Sequence, residues 1–302
     1  MWRGLGRSHS RYVAALTGQG NPEHACYAAA MTFIDHIRAC NTAVLPGGRV
    51  QLVVGDAAVG WMMPDIAARV RALGGEGDGP MRVDPAALPG VGRALADAGV
   101  AAWRNEAFDV RADPDGLVLA TVDRGLLPAL GLRAVGAHLN GLVHRADGPW
   151  LWVARRSATK LLDPGKLDHL AAGGVAAGST PWATLLKEAE EEAGLPPSLT
   201  GTARAAGWLD YAMDRPEGLR RDRLYVYDLD LPESFIPEAR DGEVEAFELW
   251  PMPEVLTRVR GGDAFKFNVN LVLIDLFLRL GMVAGAEARA LQKALGRNWP
   301  EP

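Results

Sequence analysis

Residues 173–195 read GGVAAGSTPWATLLKEAEEEAGL. This stretch contains residues typical of a helix start and a helix end, together with closely spaced glutamates. Pro181 suits the first position of a helix, and Ser179 or Thr180 can cap it from just before. Gly194 suits the position just after the last turn, where the backbone often becomes left-handed. The stretch therefore predicts a helix that begins at Pro181 and ends before Gly194.

Three carboxylates share one face of this predicted helix. Glu188, Glu191 and Glu192 stand at i, i+3 and i+4, whereas Glu190 is rotated by about 200° and should face solvent. Such a run is typical of a solvated helix face when it stands alone. Three carboxylates within one turn also form a set of hard oxygen ligands, which Mg²⁺ or Mn²⁺ prefers.

The spacing of the glycines around the helix favours a cation site over a merely solvated helix face. Their spacing resembles the sequence box of the Nudix hydrolase family, G-x5-E-x7-R-E-U-x-E-E-x-G-U, in which U is aliphatic. The matching positions are Gly173, Glu188, Glu191, Glu192, Gly194 and Leu195. The motif therefore predicts a metal site on this helix.

Three positions depart from the box. Ser179 replaces the first glutamate, Lys187 replaces the arginine, and Ala189 replaces an aliphatic residue. The first glutamate usually supports the site, so its loss could weaken metal binding or alter its geometry. Lysine keeps the positive charge but lacks the planar fork that orients a neighbouring carboxylate. Neither change removes Glu188, Glu191 or Glu192, so catalysis remains the better hypothesis for this helix.

The resemblance implies roles for the acids. Glu191 and Glu192 should ligate the metal, Mg²⁺ or Mn²⁺, and Glu188 should ligate a second metal or accept the proton of the attacking water. The backbone carbonyl of Gly173, or of the residue before it, is a further candidate ligand. A carboxylate outside the helix often completes such sites, and here Glu243 is favoured over the nearby Glu245.

Substrate contacts are predicted on strands before and within the same region. Arg155, Arg156 and Lys160 precede the box and could bind a diphosphate. The two arginines alternate across a strand, so at most one should enter the site. His138 and Asn140 share a strand face, where they could contact a substrate ring or form a buried polar pair.

The order of predicted elements indicates an α+β fold. Strands on both sides of the box helix, followed by helices, predict the α/β/α sandwich of the Nudix fold with a mixed β-sheet. A smaller α+β N-terminal domain should precede it. The predicted limits are a disordered tail at 1–24, the N-terminal domain at 25–132, the Nudix domain at 133–285 and a C-terminal helix or tail at 286–302.

Segments outside the box extend the resemblance over about residues 30–285. GAHLNGLV, YVYDLDLP and DGEVEAFEL resemble a Nudix branch with an extra N-terminal domain, long labelled thiamine-pyrophosphokinase-related. That branch implies hydrolysis of oxidised or damaged thiamine diphosphate analogues to the monophosphate and phosphate. Two alternatives stay open: a pyrophosphatase for 8-oxo-dGDP-like nucleotides or dinucleotides, and a non-catalytic regulator that binds a nucleotide-like effector.

Composition limits the partners. The net charge is −5 and the pI is near 5.7, which gives no electrostatic signature of nucleic-acid binding. The apolar run near the C-terminus is interrupted by Asp275 and Arg279, so it predicts a core helix and no membrane span. A small-molecule diphosphate is the expected partner, and the oligomeric state stays open.

Two features bear on location. Cys26 and Cys40 fit no metal-site spacing and predict reduced thiols of a cytoplasmic protein. Residues 1–20 contain three arginines and no acid, which weakly resembles a transit peptide, although a disordered tail is favoured. The expected location is the cytoplasm.

Overall fold

The computed structural model describes residues 31–296. The predicted tail, Cys26 and the last six residues lie outside this range. The elements in the first part of the described chain are α1 (Phe33–Cys40), β1 (Val50–Val54), β2 (Ala57–Met62), α2 (Pro64–Ala72), β3 (Met81–Val83), α3 (Leu88–Asp97), β4 (Ala107–Val110), β5 (Ala120–Asp123) and α4 (Leu127–Leu130). They contain a three-stranded sheet in the order β2-β1-β3 and a separate hairpin, β4–β5.

The hairpin β4–β5 is closed by an Asp-Pro-Asp-Gly segment, as its turn residues predict. The Gly116 amide donates to the Asp113 carbonyl at 2.9 Å, and the Asp115 amide donates to the Asp113 carboxylate at 3.0 Å. An aspartate that accepts from the backbone two residues on is a common way of fixing a turn. These hydrogen bonds therefore fix the conformation of the hairpin loop.

A larger, mixed sheet follows. Its strands are β6 (Arg133–Arg145), β7 (Gly148–Arg156), β8 (Leu167–Asp168), β9 (Ala171–Gly174), β10 (Arg204–Arg215), β11 (Gly218–Asp230) and β12 (Val244–Pro251). The order is β10-β11-β6-β7-β12, with β9 beside β6 and β8 beside β7. Strands β11 and β6 run parallel and the other pairs are antiparallel, so the predicted mixed sheet is confirmed.

Helices cover both faces of this sheet. They are α5 (Pro181–Ala193), α6 (Pro197–Thr200), α7 (Met252–Gly261), α8 (Val269–Arg279) and α9 (Gly285–Leu295). Residues of β6 alternate between two cores: Leu139 and Val143 pack with α5, while Leu142 packs with α7, α8 and α9. The predicted α/β/α sandwich is confirmed. In the part of the chain that the structure describes, no helix has the length and apolarity needed to cross a membrane.

Helix α1 belongs to the core under α8. Phe33, Ile37 and Cys40 are buried there, and the Phe33 ring lies 5.7 Å from the Phe277 ring of α8. Burial raises the pKa of the Cys40 thiol to about 12. The segment lies within the predicted N-terminal domain yet packs against C-terminal helices. The domain limits at 25–132 and beyond stay predictions.

The box helix begins and ends where its sequence predicts. Thr180 is the N-cap: its hydroxyl accepts the Ala183 amide at 3.1 Å. Gly194 follows the last turn with φ 65°, a left-handed conformation that glycine adopts without strain. Of the two predicted caps, the structure therefore selects Thr180.

The cap generates a stability prediction. Replacing Thr180 with alanine leaves an amide of the first turn without its side-chain acceptor, so the free energy of unfolding should fall by about 1 kcal/mol. Urea denaturation measures the change. The matched control is Thr180→Ser, which keeps the hydroxyl and should retain most of the stability. Equal losses in both variants would argue against the cap.

Candidate active site

Helix α5 turns its acids to different environments. Leu185, Ala189 and Ala193 anchor the helix in the core beneath it. On the helix face beside this stripe, Glu192 is buried at 8% exposure. Glu188 is half-buried, and Glu191 and Glu190 are exposed. The buried stripe thus fixes the helix so that one carboxylate points into the protein.

The Glu192 carboxylate joins the helix to the sheet. Its Oε2 accepts the amide of Ala172, on β9, at 2.9 Å. Burial raises the pKa of Glu192 to about 8, and the neighbouring Asp168 and Glu188 carboxylates add to this effect. A single hydrogen bond from a backbone amide only partly offsets the loss of hydration of this carboxylate. The position therefore favours a cation close to this carboxylate.

Gly173 makes room for Glu188. A Cβ atom at Gly173 would lie 2.4 Å from the Glu188 Cδ, well inside van der Waals contact. The absence of a side chain therefore lets Glu188 lie against β9. Burial raises the pKa of Glu188, and the charges of Glu191 and Glu243 act in the same direction.

A distant loop brings two more carboxylates to the helix. One oxygen from each of Glu192, Asp241 and Glu243 lies within 4.8 Å of the other two. The Asp241 carboxylate also accepts the Glu243 amide at 2.8 Å, which fixes the turn. Glu245 instead accepts the Ala158 amide at 3.2 Å, so it holds a loop. The geometry thus places Glu243, the favoured of the two predicted candidates, beside Glu192.

The sequence prediction missed Asp241. The only signal was an acid two residues before Glu243, followed by a glycine, and this pattern is common in exposed turns. What gives Asp241 its importance is a contact with Glu192, forty-nine residues earlier in the chain.

Two lysines partly balance the acids. Lys187 pairs with Glu191 at 2.8 Å and with Glu188 at 3.4 Å. Lys160 pairs with Glu243. Negative charge still dominates the cluster, because Glu192 and Asp241 bind neither lysine. This set of carboxylate oxygens fits a hard divalent cation such as Mg²⁺ or Mn²⁺.

The two predicted arginines differ in their environment. The buried Arg156 donates to Asp168 at 2.5 Å and to the carbonyls of Leu162 and Asp163 at 2.9 and 3.1 Å. The guanidinium is therefore fully engaged inside the protein. Arg155 is more exposed, and within residues 31–296 its side chain makes only a long contact of 3.8 Å to Glu248 and one of 3.4 Å to a carbonyl. Of the pair, Arg155 is the one free to approach a phosphate.

A buried charge network lies behind the acids, and no sequence motif predicts it. Asp168 contacts both Arg156 and Lys266, the latter at 3.4 Å. Burial opposes the ionisation of Asp168, but Lys266, His169 and Arg156 together hold its pKa far below the usual range. Ninety-eight residues separate Asp168 from Lys266, so no local pattern links them.

His138 and Asn140 lie on the sheet face opposite α5. The Asn140 amide donates to Asp228 at 2.9 Å, and the His138 ring meets His169 edge-on at 5.1 Å. Burial lowers the pKa of both histidines, that of His169 to about 4, so both rings are neutral. Among residues 31–296, three of their ring nitrogens and the Asn140 Oδ1 have no hydrogen-bond partner. Both predicted residues are therefore buried in the core, where Asn140 pairs with Asp228 and His138 packs against His169.

The Glu192 environment generates a pH prediction for metal-free protein. The folded pKa near 8 exceeds the ordinary value of 4.5, so folding takes up a proton between these values. Stability should therefore fall as pH rises through this window, and Glu192→Gln should remove that slope. Urea denaturation in chelator across the window measures it. Mg²⁺ added above about pH 8 should stabilise the wild type more than the variant. Parallel slopes in the two proteins would contradict the raised pKa.

The sandwich region is similar to known proteins. The family model described as NUDIX domain matches residues 136–268. Two Arabidopsis thaliana proteins, Nudix hydrolase 20, chloroplastic, and Nudix hydrolase 24, chloroplastic, are each 39% identical over 180 residues, or 60% of this chain. These matches cover 48% and 49% of the two relatives, so the chain spans about half their length.

A solved structure is also similar to part of this chain. The Deinococcus radiodurans protein DR0079 is 21% identical, with a TM-score of 0.41, and the match covers 63% of this chain and 99% of that one. The matched family region contains the whole of α5 and the loop that carries Asp241 and Glu243. Residues 136–268 of this chain thus match the model of a Nudix domain.

Proposed function

We propose that the chain is a metal-dependent hydrolase that cleaves the phosphoric anhydride bond of a small-molecule diphosphate. The observation that carries the proposal is the convergence of α5 and a distant loop on one all-oxygen cluster, Glu192, Asp241 and Glu243. The names of the two plant relatives, both hydrolases, support it.

The acids divide the work. Glu192, Asp241 and Glu243 would hold the cation, with Glu191 at the exposed edge of the cluster. Mg²⁺ or Mn²⁺ bound there supplies charge for the diphosphate oxygens and lowers the pKa of a bound water. The half-buried Glu188 has a raised pKa, which suits a carboxylate that accepts the proton of the attacking water.

Cations around the cluster would position the phosphates. Lys160 lies beside Glu243, and Arg155 has only long contacts, so both can turn towards an anion. Arg156 instead neutralises Asp168, which limits the repulsion that Glu192 experiences. We assign Arg156 to this supporting role, in place of direct contact with substrate.

The substrate proposal rests on the long sequence resemblance. We favour oxidised or damaged thiamine diphosphate analogues, cleaved to the monophosphate and phosphate. Nucleoside diphosphates such as 8-oxo-dGDP, or dinucleotides, are the alternative. The intact acid set argues for an enzyme over a regulator that only binds its ligand.

Two neighbouring glutamates provide a matched test of the metal site. Glu191→Gln removes a charge from the cation side of α5, so Mg²⁺-dependent turnover should fall by about 100-fold or more. Glu190→Gln makes the same chemical change one residue earlier, where the side chain faces solvent, and should have little effect. Steady-state phosphate release measures both. Equal damage from the two changes would mean that the helix register is wrong.

A panel of diphosphates tests the substrate. The purified protein with Mg²⁺ should release orthophosphate from oxidised thiamine diphosphate at a higher kcat/KM than from nucleoside triphosphates. Phosphorus NMR identifies the products as monophosphate ester and phosphate. Release of pyrophosphate from triphosphates at the higher kcat/KM would instead support a nucleotide substrate. No hydrolysis of any compound would overturn the proposed enzyme.

A further inference from the structure

A cavity separates the N-terminal hairpin from the start of the Nudix sheet. It has a volume of about 220 Å³, many times the 10–15 Å³ or so that one water needs. Phe108 of β4 lines it from one side, and Val135 and Val175 line it from the sheet. Ser179, just before α5, also reaches it. The N-terminal segment and the Nudix domain therefore build this cavity together.

The acids in the cavity wall already have partners. Asp109 binds Arg111 at 2.8 Å and the Gly178 amide at 3.3 Å. Asp115 accepts the Tyr225 hydroxyl and lies 3.7 Å from Arg223. Each of these carboxylates is thus paired with a donor that belongs to the protein.

Arg133 is different, because it lines the cavity without a counter-charge. Within residues 31–296 its half-buried side chain makes no hydrogen bond and no ion pair. A second arginine interacts with its charge: burial lowers the pKa of Arg221 to about 10, and the Arg133 charge adds to this effect. The cavity wall therefore contains one arginine that no carboxylate among residues 31–296 neutralises.

The cavity lies close to the catalytic acids. Val175, in its wall, is two residues beyond Gly173, which touches Glu188, and two extended residues span about 7 Å. Ser179 lies just before α5, and Glu188 is seven residues beyond the first residue of that helix, or about 11 Å along its axis. A compact diphosphate ester can bridge this interval, with its phosphates at the acids.

We propose that this cavity holds the ring of the diphosphate substrate, and that Arg133 selects an uncharged ring that carries a hydrogen-bond acceptor. The inference rests on the proposed function and extends it to substrate choice. Hairpin β4–β5 supplies one wall, so the N-terminal segment takes part in recognition. An acceptor such as a ring carbonyl pairs with the free guanidinium, while a cationic ring is repelled by it.

Ser179 keeps the cavity open. The family box has a glutamate at this position, and a longer, acidic side chain there would occupy the space and supply Arg133 with a partner. In this chain the serine hydroxyl instead lies 3.1 Å from that of Thr184. The departure from the box thus leaves both volume and charge for a ligand.

Thiamine diphosphate and its oxidised form test the selection by charge. The first has a cationic thiazolium ring, and the second has an uncharged ring with a carbonyl. Arg133→Gln should lower the ratio of kcat/KM, oxidised over cationic, by about tenfold or more, mainly through KM. The control is Arg145→Gln, at the other end of β6, which pairs with Glu233 and should leave the ratio unchanged.

A second pair of variants separates charge from bulk. Ser179→Glu and Ser179→Gln add side chains of nearly equal size to the cavity. Both should raise KM for the oxidised compound, but only the glutamate should lower the ratio in the way that Arg133→Gln does. If the ratio stays at its wild-type value in Arg133→Gln and Ser179→Glu, Arg133 does not select the ring.

Thermal shift distinguishes this inference from the proposed function. Oxidised thiamine monophosphate, without metal, should raise the Tm of the wild type and of Arg145→Gln, but not that of Arg133→Gln. If the wild type binds this compound yet hydrolyses no diphosphate, the proposed function fails and the ring site stands. If phosphate is released but neither the shift nor the ratio depends on Arg133, the ring site fails alone.

Discussion

The contact between the Glu192 carboxylate and the Ala172 amide is the constraint around which the site is arranged. A buried carboxylate costs hydration energy, and it keeps its charge only where neighbouring groups compensate. Two groups of residues provide this compensation. Asp168, whose charge acts on Glu192 from the buried side, is neutralised by Arg156 and Lys266. On the outer side, Asp241 and Glu243 complete an oxygen cluster that fits a cation.

Much of the fold could be predicted from local patterns. The ends of α5 followed from Pro181 and Gly194, because capping and left-handed termination depend on neighbouring residues alone. The strands followed from the alternation of apolar side chains, and the α/β/α order followed from the sequence of elements. Choosing Thr180 over Ser179 as the cap required the backbone path into the helix.

The site was predictable only where its residues are close in sequence. Glu188 and Glu192 share a helix, so their juxtaposition follows from the helical period. Asp241 lies near them because the loop before β12 returns to α5. Lys266 reaches Asp168, behind the acids, from the segment just before α8. Contacts across fifty to a hundred residues leave no periodic trace. The pairing of Arg156 with Asp168 spans only twelve residues, but it was also missed, because Asp168 is buried on a strand of two residues that has no visible alternation.

Helix α1 has a consequence for how the chain folds. Phe33 and Ile37 fill a core whose other members come from the sheet and from α7, α8 and α9. A polypeptide cut at the start of β6 would lack this apolar surface, and the Phe277 side of α8 would meet water. The sandwich should therefore melt together with its N-terminal helix in a single transition. Excising the Nudix region at its sequence boundary would yield an incomplete core.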